Sequence, residues 1–280
     1  MTPASARRVN FWGGVITAIT VLMAVLWAFP LYWGVMSSLK LEDEVVRPYI
    51  ELWPENLTFQ HYIHALTATQ IGNWYVNSVA VAVGVMVITI LSSMLCGYAL
   101  SQLSFPGRKV LWWLILASFM VPLQALIINH FVLVSQLGLI NTWAGIMLPQ
   151  LIHPVIIIVY KQFFDQVPRD FREAAVMDNA SELAILFKVY LPMNWGVTTA
   201  LSIVTFIWTW NAFLWPFLSV TKTEMMTITV GITQVNDAFG VYYARELAAA
   251  VLAGLPVALA YLLFQRRVTE AITLSAGIKG

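Results

Sequence analysis

Charged side chains are scarce. The 280 residues include 15 Lys and Arg and 14 Asp and Glu, 10% of the chain, where soluble domains carry about 25%. With 60% of residues hydrophobic, the chain has more apolar surface than a water-soluble fold of this size encloses, so lipid is the solvent for most of it. A net charge of +1 argues against nucleic acid as a partner. The single cysteine, Cys96, excludes an intrachain disulfide and leaves the redox compartment open. No G-x-x-x-x-G-K-S/T loop occurs, so the chain does not bind ATP in the usual way. Nor does any Asp, Glu, Lys or Arg lie deep in an apolar run. Proton- and sodium-coupled transporters need such a relay at mid-membrane, so its absence weighs against a secondary transporter or channel.

What is present is a series of six apolar runs. They cover about residues 11–36, 74–100, 110–134, 142–164, 194–217 and 246–264, each long enough to cross a core of ~30 Å with some tilt. The first follows Arg7-Arg8 but is too long for a signal-peptide core, and five more follow; it reads as an anchor. Small residues stand four apart at Ala80/Gly84, Ser93/Gly97 and Ala250/Gly254, a spacing that lets neighbouring helices approach closely. The expectation is an all-α integral membrane protein with one domain, 1–280, and six transmembrane helices.

Orientation follows from the basic residues. With the N-terminus inside, the inner side holds Arg7, Arg8, Arg108, Lys109, Lys161, Arg169, Arg172, Lys188, Arg266, Arg267 and Lys279. The outer side holds only Lys40, Arg47, Lys222 and Arg245. This is the asymmetry of the positive-inside rule, with both termini cytoplasmic. The acidic connection between the first two runs suits the outer face. His61 and His64 in it sit one turn apart, but without a cysteine or carboxylate motif nearby no metal site is expected.

Polar groups inside apolar runs are costly and mark either helix–helix contacts or a solute path. The third run holds Gln124, Asn129 and His130 after Pro122. The fourth holds Gln150 and His153, read as sharing one helix face, between Pro149 and Pro154. The fifth holds Trp208, Trp210, Asn211 and Trp215, followed by Pro216. Indole faces stack on sugar C–H faces, and amides supply donors and acceptors, so the mixture suits an uncharged, hydroxyl-rich solute. Packing and an interfacial aromatic belt explain single tryptophans equally well. Proline in all three runs makes local helix breaks plausible. An intramembrane enzyme would need paired acids, a Ser/His pair or a metal cluster at depth, and none is seen.

The longest polar interruption on the inner side, residues 169–192, lies between the fourth and fifth runs. Arg169 to Glu173 open a short helix, and Asp178-Asn179 close it, Asn tolerating the left-handed conformation that ends helices. Ser181 caps a second helix with Glu182 in its first turn. Leu183, Leu186, Phe187 and Tyr190 recur there at helical spacing, and Pro192 is expected to keep that helix from continuing unbroken into the next apolar run. Two short helices joined by a sharp elbow result.

This stretch resembles the EAA loop of ATP-binding-cassette importer permeases. Glu173, Ala174, Ala175, Asp178, Ala180, Ser181, Leu191 and Pro192 match it, and Asn179 replaces the family's glycine. WTWNAFLWP at Trp208–Pro216 is similar to a signature of the carbohydrate-uptake branch. SFPGRK at Ser104–Lys109, GLINTWAGIMLP at Gly138–Pro149 and the terminal Lys279-Gly280 extend the likeness along nearly the whole chain. The family is the binding-protein-dependent, maltose- and glycerol-phosphate-like permeases of the bacterial inner membrane.

The resemblance implies a non-catalytic subunit that forms half of a translocation path for a sugar or sugar derivative; a polyol, glycerol phosphate or sulfonated sugar is the alternative. It implies a second homologous permease, an ATPase dimer that binds ATP and Mg, and an extracytoplasmic solute-binding protein; no cofactor is expected on this chain. Glu173 would pair with a basic group of the ATPase, and Ala174 and Ala175 would allow close approach. Asp178, Asn179 and Ser181 would fix the elbow, and Leu191-Pro192 would close the coupling loop.

Overall fold

The computed structural model describes residues 11–236 and 240–275, without the side chains of Phe11 and residues 266–275. Arg7, Arg8 and the Lys279-Gly280 terminus lie outside the described residues, as do the side chains of Arg266 and Arg267. The fold is all-helical. Its main elements are α1 (Phe11–Ser38), α2 (Gln60–Ala68), α3 (Ile71–Gln102), α4 (Arg108–Phe119), α5 (Leu123–Gln136), α6 (Trp143–Met147), α7 (Pro154–Asp165), α8 (Arg169–Met177), α9 (Glu182–Ile185), α10 (Trp195–Trp210), α11 (Leu214–Ser219) and α12 (Tyr243–Ser275).

Among the described residues three helices, α1, α3 and the apolar part of α12, are long and apolar enough to cross a membrane; counting two bent pairs as one span each gives five. The segment read as a continuous third run is such a pair: α4 and α5 meet at 100°. Pro122 is the cause. It has no N–H to continue the ladder, and it sits extended, at ψ 132°, as the cap of α5. In the fourth run α6 passes into a 3₁₀ turn, Leu148–Gln150, and α7 restarts at Pro154 after a 53° bend. In the fifth, α10 ends at Trp210 and α11 begins at Leu214.

By backbone contacts the chain forms two compact units, one from the described residues up to Thr69 with Gln234–Leu252, the other from Gln70–Thr233 and from Ala253 onward. In the first, the acids of the connection after α1 serve as structural acceptors. Glu44, 3% exposed, takes bonds from the backbone of Glu55 (3.1 Å) and Asn56 (3.2 Å) and from the Asn56 amide (3.0 Å). Glu42 caps the first turn of α12 through Tyr243 N (2.6 Å) and Ala244 N (3.0 Å), where a negative charge is favoured. Lys40 is buried; its ammonium donates to the Glu51 carbonyl (2.6 Å) and lies 5.3 Å from the Trp33 ring centre. His61 is also buried, with Nε2 3.0 Å from the Lys40 carbonyl.

The second unit is built around α3, which packs on α7 and α10. The contact with α7 is close because Gly97 faces Tyr160 and Lys161 without a side chain between them. Below it lies a core of Met94, Tyr98, Ile156, Tyr160, Phe164, Ile185, Leu186 and Tyr190, which joins α3, α7 and the segment after α9. At the other end of α3, Asn77 binds the carbonyls of Glu224 (2.8 Å) and Met226 (3.0 Å) and accepts from the Trp143 indole (2.9 Å). Asn141, in the left-handed region at φ +61°, accepts from Thr221 N (2.7 Å) and Lys222 N (2.9 Å). Amides thus pin the connections at that end.

Candidate functional site

Two features of the second unit hold the residues singled out from sequence. The first is a cavity of about 260 Å³ where three helix interruptions meet. The start of α5 contributes Leu123, Gln124, Ile127 and His130, the 3₁₀ turn Pro149 and Gln150, and the break between α10 and α11 Ala212, Phe213, Leu214 and Trp215. Breaks of this kind free backbone polar groups, which are tolerated at membrane depth only in protein or against a cavity. Among the described residues no Asp, Glu, Lys or Arg lines it.

Trp215 anchors the wall. Its indole N–H is shared between the carbonyls of Gly145 (3.2 Å) and Ile146 (3.1 Å), and its ring meets His130 edge-on with centres 6.0 Å apart. Gln150 donates to the Ile146 carbonyl at 2.8 Å. Gln124 is exposed towards the cavity.

The other expected path residues lie elsewhere. Gln150 and His153 do not share a helix face, because the helix breaks between them; His153 sits beside Trp208, ring centres 5.9 Å apart. Asn129 is exposed on α5, away from the cavity lining. Trp210 is buried, stacks on Phe206 and donates to the Ala253 carbonyl (3.2 Å). Asn211 is not mid-helix: it caps the C-terminus of α10, and its amide returns to the Ile207 carbonyl (3.0 Å).

The second feature is the elbow at residues 169–192. Asn179 has φ +55°. The bonds Ala180 N to Ala175 O and Asn179 N to Val176 O, both 3.0 Å, are the two that close a Schellman helix end. Ser181 Oγ then accepts from Ala184 N at 3.3 Å and starts α9. Local chemistry therefore places the bend at Asn179. Glu173, Ala174, Asp178 and Asn179 are exposed, and Ala175 is half-buried against the core. Phe171, Met177 and Leu183 are exposed on the same short segment, Met177 at 83%. Sequence reading took Leu183 only as part of a helical apolar pattern and passed over Phe171 and Met177, although apolar side chains on so polar a stretch were themselves a signal.

The second helix passes through Pro192 and is interrupted just after it, before α10. The backbone widens into a π turn at Leu186–Tyr190, with Leu191 N bonded to Leu186 O, five residues back. That wider turn admits the proline ring, and the break comes at Asn194. Widening also alters the helical face: Leu186 and Tyr190 are buried, whereas Leu183 and Phe187 are exposed.

Glu182 is more than a first-turn acid. One carboxylate oxygen accepts from the Tyr98 hydroxyl of α3 (2.6 Å), and the other pairs with Arg172 of α8. Burial works against the Arg172 charge, but Tyr98 and Glu182 beside it more than offset this and raise its pKa above the ordinary value.

Residues 89–270 match the profile of the binding-protein-dependent transport system inner membrane component. The chain belongs to this family. It is an inner-membrane permease subunit of an ATP-binding-cassette importer. The arabinooligosaccharides transport system permease protein AraQ of Bacillus subtilis (strain 168) is 29% identical over 268 residues, 95% of each chain. The diacetylchitobiose uptake system permease protein NgcG of Streptomyces coelicolor is 30% identical over 274 residues, 96% of this chain and 90% of its own. Among solved structures, a chain of a bacterial ABC transporter involved in import of the acidic polysaccharide alginate superposes with a TM-score of 0.81. It is 23% identical, and the match covers 95% of this chain and 99% of that one, so the fold is shared. Members of this family work with a solute-binding protein and an ATPase.

Proposed function

We propose that this permease lines half of the path of an importer for a neutral sugar or oligosaccharide, with a second, homologous permease lining the other half. The observation that carries the substrate class is the cavity at the three helix breaks: Gln124, His130, Gln150 and Trp215 line it and no charged side chain does. Amides and a histidine exchange hydrogen bonds with hydroxyls, and aromatic edges suit sugar C–H surfaces. The sugar-system names of the two relatives support the same class.

In this reading residues 1–280 form a single permease domain with six spans and both termini cytoplasmic. The elbow between the fourth and fifth spans docks on an ATPase dimer, which binds ATP and Mg; this chain binds neither and catalyses nothing. Glu173 faces a basic group of the ATPase, Ala174 and Ala175 permit close approach, and Asp178, Asn179, Ser181, Leu191 and Pro192 fix the lever's shape. The exposed Phe171, Met177 and Leu183 supply the apolar part of the contact. When ATP closes the dimer, the lever moves and the spans rock as bodies, opening the cavity to one side and then the other.

The test is ATP-dependent uptake into liposomes holding both permeases and the ATPase, with the binding protein outside. Labelled neutral oligosaccharide is expected to accumulate, and excess glycerol phosphate, polyol or sulfonated sugar to leave uptake unchanged. Accumulation of one of those three solutes with no sugar uptake would overturn the neutral-sugar assignment.

A further inference from the structure

We propose that Glu182, gripped by Tyr98 of α3 and Arg172 of α8, is a latch that makes the elbow and the long helix α3 move as one body. The proposal rests on the coupling role of the elbow and adds the joint that passes its motion to the membrane helices. The two halves of the elbow are held very differently. After Ser181, Ile185, Leu186 and Tyr190 are fully buried in the core, so that half is anchored. Before it, α8 has no buried residue: Val167 just ahead of the helix is in the core, but α8 itself reaches the core only through Ala175, with Ala180 beyond its end. Contacts this slight do not fix an angle against a load.

The latch supplies what packing does not. Arg172 and Glu182 face each other across the bend, ten residues apart in sequence, and their ion pair sets how far α8 swings from α9. The other carboxylate oxygen of Glu182 holds the Tyr98 hydroxyl at 2.6 Å. Tyr98 is 3% exposed and its ring stands edge-on to Tyr190 (5.1 Å) and Phe164 (6.2 Å), so the hydroxyl has a fixed position on α3. Helix start α9 gains from an acid in its first turn whatever that acid touches. It needs neither partner for that purpose, and the division of the two oxygens between two other elements is the feature a plain helix start leaves unexplained. Tyr98 and Arg172 are thus positioning residues acting through Glu182.

The test uses the complete transporter in liposomes and reads solute moved per ATP hydrolysed. Tyr98→Phe keeps the ring and its packing and removes only the hydroxyl; Glu182→Gln removes the charge. Each is expected to lower the ratio about fivefold, while hydrolysis stimulated by the binding protein stays close to the unsubstituted rate. Arg172→Lys, which keeps the charge, lowers it less than Arg172→Gln. A purely structural role lowers transport and hydrolysis together and leaves the ratio unchanged, and that result overturns the latch. Crosslinking of Met177→Cys to an ATPase cysteine in the same preparations reports docking separately. No crosslink in the otherwise unsubstituted transporter overturns the coupling reading, and a crosslink with an unchanged ratio overturns the latch alone.

Discussion

At Gly97 a single methyl group should push two packed helices, α3 and α7, apart. A Cβ built there lies 2.7 Å from Tyr160 Cβ and 3.1 Å from the Lys161 backbone nitrogen. Carbon pairs rest at about 3.5–4.0 Å, so the first contact is roughly 1 Å too short. Both obstacles are rigid, one a backbone atom and the other the root of a buried side chain, so α3 and α7 must separate. Overpacking of this kind costs about 1–3 kcal/mol, against which alanine returns about 1 kcal/mol in helix propensity. The net loss for Gly97→Ala is up to about 2 kcal/mol, or up to roughly 8 °C in melting temperature for a chain of this size. Gly84 and Gly254 are internal controls at the same kind of small-residue spacing. A methyl at Gly84 meets only the thioether end of Met147, at 2.9 Å and 3.0 Å, and one at Gly254 meets nothing within 4 Å. The flexible thioether yields, so Gly84→Ala should change stability little and Gly254→Ala should be neutral or stabilising. Cys96, beside Gly97 and the only thiol in the chain, provides the assay: labelling by a thiol-reactive fluorophore during heating in detergent reports opening of this contact. Equal melting of the Gly97 and Gly254 variants would refute the close-approach argument.

Other substitutions test the remaining parts. Asn179→Gly should preserve uptake, whereas Asn179→Val, forced to φ +55°, should lose about 1–2 kcal/mol at the elbow and show faster proteolysis at residues 177–181. Trp215→Phe leaves two backbone carbonyls at the cavity wall without their indole donor. It should lower the melting temperature by an amount equivalent to about 1–3 kcal/mol, read by the same thermal assay. Gln124→Leu, at an exposed cavity position, should reduce uptake about tenfold, equivalent to about 1.4 kcal/mol, with assembly unchanged by gel filtration; wild-type uptake would remove Gln124 from the path.

Legibility in the sequence tracked how local the physics is. The elbow was readable because a Schellman end and a serine cap are decided within six residues, and Asn179 and Ser181 are the residue types those positions demand. Helix breaks were only half readable. Prolines mark where the ladder loses a donor, but whether the backbone bends by 100°, as at Pro122, or widens into a π turn, as before Pro192, depends on what packs around it. The cavity partly escaped, since its five polar or aromatic members come from three separate breaks. Trp210, grouped with the path on composition, instead fills the core against Phe206 and Ala253. The Glu182 contacts were invisible: Tyr98 lies 84 residues away, and no local pattern pairs it with the elbow. Likewise the acids after α1, read only as outer-face bias, turn out to cap a helix and to hold backbone amides.

The central claim is that energy from ATP enters this permease through the exposed helix α8. Charge reversal at Glu173, one of its two exposed acids, addresses that directly: reconstitute Glu173→Lys with its partners and measure uptake and binding-protein-stimulated ATP hydrolysis together. Insertion and assembly should be normal while both activities are abolished. Undiminished uptake and stimulation with lysine at position 173 would contradict the account.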